Sequence, residues 1–322
     1  MTGFVPRTVF PTHTLPRAYF IGHHAKAIRR MREMVTEIDL VFEVRDARAP
    51  LSTRNSIFES IIGEKPRVVV YTKSDISAID PNIFKSWHSE GDYCLVNTRI
   101  PSSVNQLLNI AKKYSTGRES FFGLNTMIMG MPNVGKSSLL NTLRYSGTHR
   151  GKAAKTGAMA GVTRSIPSLV KISEEPAILV YDTPGVSLPT TIEPDTMLVL
   201  SCIGSTNTGL IDPVIQADFL LYQLNKMNPT GMLYSKYSKP TNEIEEFLTS
   251  YCRRMGRLGK GGHPDLSGAA AQWVDRSRKG LESKVVFDDY NNLNACKEWE
   301  EKLDAKKKLQ HGPLSDQKFR VA

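Results

Sequence analysis

Gly130-Met131-Pro132-Asn133-Val134-Gly135-Lys136-Ser137, followed by Ser138, fits the G-x-x-x-x-G-K-[ST] pattern of a phosphate-binding loop. The glycines let the backbone turn its N–H groups onto phosphate oxygens. Lys136 neutralises the outer phosphates, and Ser137 offers a hydroxyl to Mg²⁺. Asn133, Val134, Gly135, Lys136, Ser137 and Ser138 are therefore the candidate phosphate-binding residues. Residues 126–129 before the loop read as a strand, and the pattern predicts a helix from Lys136. That is the context such a loop requires.

The loop alone indicates a nucleoside triphosphate. Three further features point to guanine. Asp182-Thr183-Pro184-Gly185 follows a hydrophobic strand. An acid there can hold Mg²⁺ through water, and the Gly185 N–H can sense the γ-phosphate. Thr163, in Gly161-Val162-Thr163, lies between the two motifs, where a switch threonine would ligate Mg²⁺. Thr72-Lys73-Ser74-Asp75 directly follows the strand-like residues 67–71. A carboxylate at Asp75 can accept hydrogen bonds from guanine N1–H and its exocyclic amine, and adenine offers no matching donor pair. The Lys73 stem can pack over the base. Asn is usual where Thr72 stands, which leaves an ATPase open as an alternative.

The order of these motifs is unusual. In ordinary small GTPases the phosphate loop precedes the guanine motif, whereas here Thr72 stands 58 positions ahead of Gly130. Strand-like runs at 38–44, 67–71 and 93–96 precede the loop. Those at 126–129, 168–172 and 177–181 begin with it. Helical stretches at 26–37, 82–88 and 104–113 lie between them, and alternation of this kind predicts a parallel sheet. The expected fold is α/β: a circularly permuted P-loop GTPase domain on a mostly parallel sheet of about six strands, plus a C-terminal helical domain. Permutation is tolerated when the original termini are close together at the surface. After Pro194 helical patterns dominate. Asn242 reads as an N-cap with Glu245 three residues on, and Ile244, Phe247, Leu248, Tyr251, Cys252, Met255 and Leu258 follow at helical spacing. The expected organisation is a basic arm or targeting segment (1–18), a permuted GTPase domain (19–190), a helical domain (191–290), which the resemblance described below makes RNA-binding, and a charged tail (291–322).

The chain of 322 residues carries a net charge of +10, distributed unevenly. Residues 1–32 hold six basic side chains and no acid, residues 33–232 are neutral, and residues 233–322 carry +4. Basic flanks on a neutral core suit polyanionic partners. Residues 251–280 alone hold seven basic and two acidic side chains. On charge alone such a cluster reads first as a solvated helix face; the resemblance given below makes Arg253, Arg254, Arg257 and Lys260 the candidate RNA contacts. The four cysteines are scattered, so neither a zinc site nor a disulfide framework is expected. No apolar run reaches the roughly 18 residues of a membrane span. The acid-free N-terminus suits a mitochondrial targeting segment and equally a basic arm that binds RNA.

Together these motifs resemble the circularly permuted ribosome-assembly GTPases of the bacterial RbgA/YlqF type, and most closely their mitochondrial members. The resemblance runs from about residue 19 to 287. It includes Phe20-Ile21-Gly22-His23-His24-Ala25-Lys26-Ala27, Arg45-Asp46-Ala47-Arg48-Ala49-Pro50-Leu51-Ser52, and Gly262-His263-Pro264-Asp265 followed by Ala269-Ala270. Departures are Ile21 for Pro, Thr72 for Asn, and Arg276-Ser277 where the family tends to have Phe-Arg.

The resemblance implies a monomeric GTP hydrolase, binding GTP and GDP, that engages the large mitochondrial ribosomal subunit and its rRNA. It also implies the mitochondrial matrix, peripheral to the inner membrane. Val186 occupies the place where many GTPases carry a water-orienting glutamine, and its side chain can do no such work. The resemblance assigns that role to His23, with His24 as the neighbour that could be mistaken for it. Asn133 matches a potassium ligand of K⁺-stimulated GTPases, and a loop-shaping role for it is equally open. A GTP-dependent regulatory module acting on a non-ribosomal partner is the competing reading.

Overall fold

The computed structural model describes residues 4–11, 22–88, 92–116, 123–149, 151, 169–187 and 194–289. Thr163 and the 291–322 tail lie outside these residues. Six strands, β1 (Leu40–Asp46), β2 (Arg67–Thr72), β3 (Asp92–Val96), β4 (Leu124–Gly130), β5 (Leu169–Ser173) and β6 (Ile178–Asp182), form one sheet in the order β3-β2-β1-β4-β6-β5. Only the β5–β6 pairing is antiparallel. The guanine motif ends β2, the phosphate loop leaves β4, and Asp182 ends β6. All three reach the carboxyl edge of the sheet, where open α/β folds bind their ligands. The strand that ends in the guanine motif precedes the strands that end in the phosphate loop and Asp182, in the exchanged order expected from the sequence.

The central strand β1 is buried along its length, as a parallel strand covered on both faces should be. α1 (Gly22–Met34), α2 (Ser56–Ile62), α3 (Pro81–Trp87), α4 (Asn105–Thr116) and α5 (Lys136–Thr148) accompany the strands. Ala27, Ile28 and Met31 of α1 join Phe58, Ile61 and Ile62 of α2, Val41, Met127, Met129 and Val186 in one buried cluster. The other face of the sheet belongs to a larger cluster that continues without a break into the C-terminal helices. The described residues up to Asp288 accordingly form one compact unit.

Those helices are α6 (Pro194–Ile203), α7 (Pro213–Met227), α8 (Ile244–Met255) and α9 (Leu266–Arg278). Asp212 caps α7 by accepting from Val214 N, and Pro213 occupies the first turn, where its missing N–H costs nothing. Phe247 of α8 packs against Trp273 of α9 with ring centroids 4.2 Å apart. The capping assignment for α8 needs correction. Glu243 is the N-cap residue, and Thr241 supplies the oxygen that accepts from Glu243 N at 3.0 Å. The Asn242 side chain is spent elsewhere: it donates to Val5 O at 2.9 Å and accepts from Arg7 N at 3.2 Å.

Residues 4–11 thus lie against the C-terminal helices. Arg7 pairs with Asp218, Tyr222 donates to Thr8 O at 3.2 Å, and Phe10 meets Phe219 edge-to-face at 5.1 Å. At the other end, the chain returns to the sheet. Phe287 N donates to Arg48 O at 2.8 Å, and the Asp288 carboxylate accepts from Leu51 N, Ser52 N and the Ser52 hydroxyl. Truncating Phe10 to Ala should remove an aromatic contact worth about 1–3 kcal/mol. A urea-unfolding midpoint equal to that of the wild type would show that this contact contributes nothing.

Candidate GTP-binding site

The phosphate loop is held in shape by its own lysine. Lys136 Nζ donates to Gly130 O at 3.0 Å and Met131 O at 2.8 Å. Gly135 adopts φ +101°, a left-handed conformation that L residues avoid. Gly185 presses on the loop: a Cβ there would lie 2.7 Å from Pro132 Cα and 3.0 Å from Lys136 Nζ. Ser137 and Ser138 occupy the first turn of α5 beside these groups. Val134 is fully buried beneath the loop.

The charges here are under-compensated. Burial pushes the Lys136 ammonium down to about 8, against the pull of Asp182. Burial likewise pushes the Asp182 carboxyl upward, with Lys136 opposing. Asp182 Oδ1 is buried with no hydrogen-bond partner among the described residues. An orphaned carboxylate oxygen near a serine hydroxyl at a helix start fits Mg²⁺, which takes few protein oxygens and draws the rest from phosphate and water. Mg²⁺ there would neutralise charge on the β and γ phosphates.

Thr72 answers the question raised by its place in the guanine motif. Its hydroxyl donates to Val134 O and lies 3.2 Å from Arg45 O. It therefore ties the guanine motif to the phosphate loop. Lys73, at φ 57°, donates to Asn133 O and to Asp46 Oδ2, each at 2.8 Å. Its ammonium is pushed down by burial, with Asp46 opposing. Ser74 N donates to Val96 O at 3.3 Å. Asp75 is partly exposed and lies 3.4 Å from Arg99.

Two contributions escaped the sequence reading. Asp46 and Arg48 form a fully buried ion pair, with Arg48 Nε and Nη2 on the two carboxylate oxygens at 3.0 and 2.8 Å. Asn97 and Thr98, after β3, adjoin the guanine motif, and Thr98 O accepts from Thr142 of α5 at 3.0 Å. A polar residue at the end of a buried parallel strand is the signal that could have found the first.

Asn133 is the third surprise. It adopts φ 56°, and its Nδ2 donates at 2.7 Å to Gly204 O, just after α6. Position 23 falls in the first turn of α1, one turn ahead of Ala27. The side chains of His23 and Lys260 lie outside the described part. Arg253 and Arg254 are exposed on α8, whereas Arg257 donates to Gln272 at 3.0 Å. The other basic residues of this stretch are engaged: Arg276 with Glu282, Lys279 with Asp275, and half-buried Arg278 with Ser201 O.

The comparisons with known proteins agree with this geometry. A family model described as 50S ribosome-binding GTPase matches residues 125–254, beginning at β4. Mitochondrial GTPase 1 of Saccharomyces cerevisiae is 33% identical over 325 residues, covering 91% of this chain and 86% of that one. The chain belongs to the mitochondrial GTPase 1 family. Mitochondrial GTPase 1 of Schizosaccharomyces pombe is 32% identical, covering 81% and 86%. Mitochondrial ribosome-associated GTPase 1 of Mus musculus is 30% identical, covering 88% and 93%. The GNP-bound YlqF structure from T. maritima superposes with a TM-score of 0.58 at 21% identity, over 83% of this chain and 99% of that one, and shows the same fold. This family member is a GTP hydrolase.

Two outcomes test the site. Replacing Thr72 with Val keeps the shape but leaves Val134 O without its donor, a loss of about 1–3 kcal/mol. GTP should bind roughly tenfold more weakly, and an unchanged affinity would dissociate Thr72 from nucleotide binding. Bound phosphate raises the Lys136 pKa, so binding takes up a proton above pH 8 and none well below it. Affinity for GTP should fall by roughly tenfold between pH 7 and 9. Calorimetry in buffers of different ionisation enthalpy reads the proton directly, and no uptake at pH 8.5 would contradict the pKa.

Proposed function

We propose that this GTPase acts as a monomer in assembly of the large mitochondrial ribosomal subunit, binding rRNA and hydrolysing GTP when the subunit reaches a defined state. The observation that carries this reading is the direct junction between the nucleotide site and a helical domain that exposes two arginines at the end of α8. Asn133 bonds to Gly204, and exposed Arg253 and Arg254 stand on the same domain. Exposed arginines on a helix suit phosphate contacts of structured RNA. Lys260 and Arg257 would extend that surface, with Arg257 changing its partner on binding. The names of the relatives, mitochondrial and ribosome-associated, support the same compartment and partner. The reading places the protein on the matrix side. Its net charge of +10 suits peripheral contact with the anionic inner membrane, and no helix among the described residues is long and apolar enough to cross one.

Hydrolysis, in this reading, uses His23. Val186 is fully buried, its N–H lies 3.4 Å from Gly130 O, and Asn55 Nδ2 holds its carbonyl at 3.1 Å. That residue cannot orient water. α1 contributes to the same cluster as Val186, and position 23 lies on the helical face of Ala27, one turn nearer the start of α1. A histidine there can orient or deprotonate water at neutral pH. Ser137, Asp182 and Thr163 would hold Mg²⁺, and Gly185 would meet the γ-phosphate. Thr72, Lys73, Ser74 and Asp75 would frame the guanine. A K⁺ ion at Asn133 would require its oxygen to face the nucleotide, an orientation compatible with the Nδ2 bond to Gly204.

Changing His23 to Ala should leave GTP affinity within a few-fold and slow hydrolysis by about 10²-fold or more. Equal hydrolysis rates would remove His23 from the mechanism. Co-sedimentation with mitochondrial ribosomal particles tests the function itself. Selective binding to the large subunit with a non-hydrolysable GTP analogue is expected, weakened by Arg253→Glu with Arg254→Glu and by added salt. Absence of binding at low salt in every nucleotide state would overturn it.

A further inference from the structure

The carboxyl end of α9 touches both sides of the nucleotide site. Its backbone carbonyls face the guanine side. Arg48 Nη1 donates to Arg278 O at 3.4 Å, and Arg48 is paired with Asp46, the partner of Lys73. Arg99 Nη2 donates to Lys279 O at 2.7 Å, and Arg99 faces Asp75. Two arginines thus bind the last carbonyls of α9, where a helix has acceptors to spare and its dipole favours cations.

The Arg278 side chain runs the other way, to the phosphate side. Its Nη2 donates to Ser201 O at 2.6 Å and to Gln216 Oε1 at 2.7 Å, and its Nε donates to Cys202 O at 3.0 Å. The Ser201 and Cys202 carbonyls belong to the last turn of α6, and Gln216 stands on α7. Two residues later Gly204, at φ +79°, presents its carbonyl to Asn133 of the phosphate loop at 2.7 Å. Arg278 Cδ and Nε lie within 3.6 Å of where a Gly204 Cβ would be. Asn133 O in turn accepts from Lys73. The bonds close a ring: Asn133, Gly204, the α6 end, Arg278, Arg48, Asp46, Lys73 and back to Asn133.

We propose that Arg278 is a positioning residue for the phosphate loop. By clamping the end of α6 it holds the Gly204 carbonyl where it orients Asn133, and through it the helical domain sets the affinity for nucleotide. The arrangement makes the coupling reciprocal, since whatever shifts α9 changes nucleotide affinity and nucleotide changes the position of α9. It rests on nucleotide binding at this loop, which the unaltered chain checks separately by binding mant-GTP.

The test is a double-mutant cycle on the full chain with Arg278→Lys and Asn133→Ala, reading the mant-GTP Kd and the melting temperature of each variant. Both single variants should bind several-fold more weakly. The double variant should bind no more weakly than Asn133→Ala alone, because both changes cut the same connection. A Kd unchanged in Arg278→Lys, whatever its melting temperature, would make Arg278 a structural residue only and overturn the proposal. So would effects that multiply in the double variant, or an Asn133→Ala variant with wild-type affinity. Should Arg278→Lys fail to fold, Gln216→Met removes one of the three Arg278 acceptors and enters the same cycle. Failure of the unaltered chain to bind mant-GTP would count against nucleotide binding, not against the clamp.

Discussion

The nucleotide edge of this protein depends on one buried carboxylate. Asp46 has lost all contact with water at the end of β1, and burial alone would drive its pKa up. Arg48 and Lys73 outweigh that effect and hold it well below the usual carboxylate range. A buried charge without such partners would cost several kcal/mol. Each partner carries a further element into place: Arg48 the end of α9, and Lys73 the phosphate loop. The guanine motif, the phosphate loop and the helical domain therefore share one electrostatic anchor. The direction of the Asp46 shift ties that anchor to pH. Its contribution is present above the unfolded carboxylate pKa, near 3.9, and is lost as acid protonates it.

Much of this was legible in the chain. The strands were placed to within two residues because parallel strands buried on both faces read as short apolar runs bounded by turn residues. Motif order foretold the permutation, because a glycine-rich loop, an acid at a strand end and a guanine motif each belong to known strands. After Pro194 only α8 showed itself by the spacing of its apolar residues; α6 and α7 are apolar on most sides and carry no clear stripe.

What was not legible was mostly pairing across long distances. Nothing local marks Asp218 as the partner of Arg7, or Asn242 as a bracket for residues 5–7 in place of a helix cap. The basic run 251–280 looked like one charged surface. In the folded chain half-buried Arg278 binds the α6 carbonyls, Arg276 pairs with Glu282 and Lys279 with Asp275 one turn away, and the first of these partnerships exists only once the fold brings α6 to α9. Thr72 looked like a weakened guanine motif, and its bond to Val134 O depends on two loops 62 residues apart meeting.

Both ends of the described chain are fastened to partners far away in sequence. Arg7 waits for Asp218, 211 residues later, and Leu51 waits for Asp288, 237 residues later. Contacts of such range form late and slow folding. A chain made only as far as its phosphate loop therefore lacks Gly204, which accepts from Asn133, and Asp288, which holds Leu51 and Ser52. A fragment ending before Asp288 would carry Thr72, Gly130 and Asp182 and still leave Leu51 N and Ser52 N without the carboxylate that accepts from them.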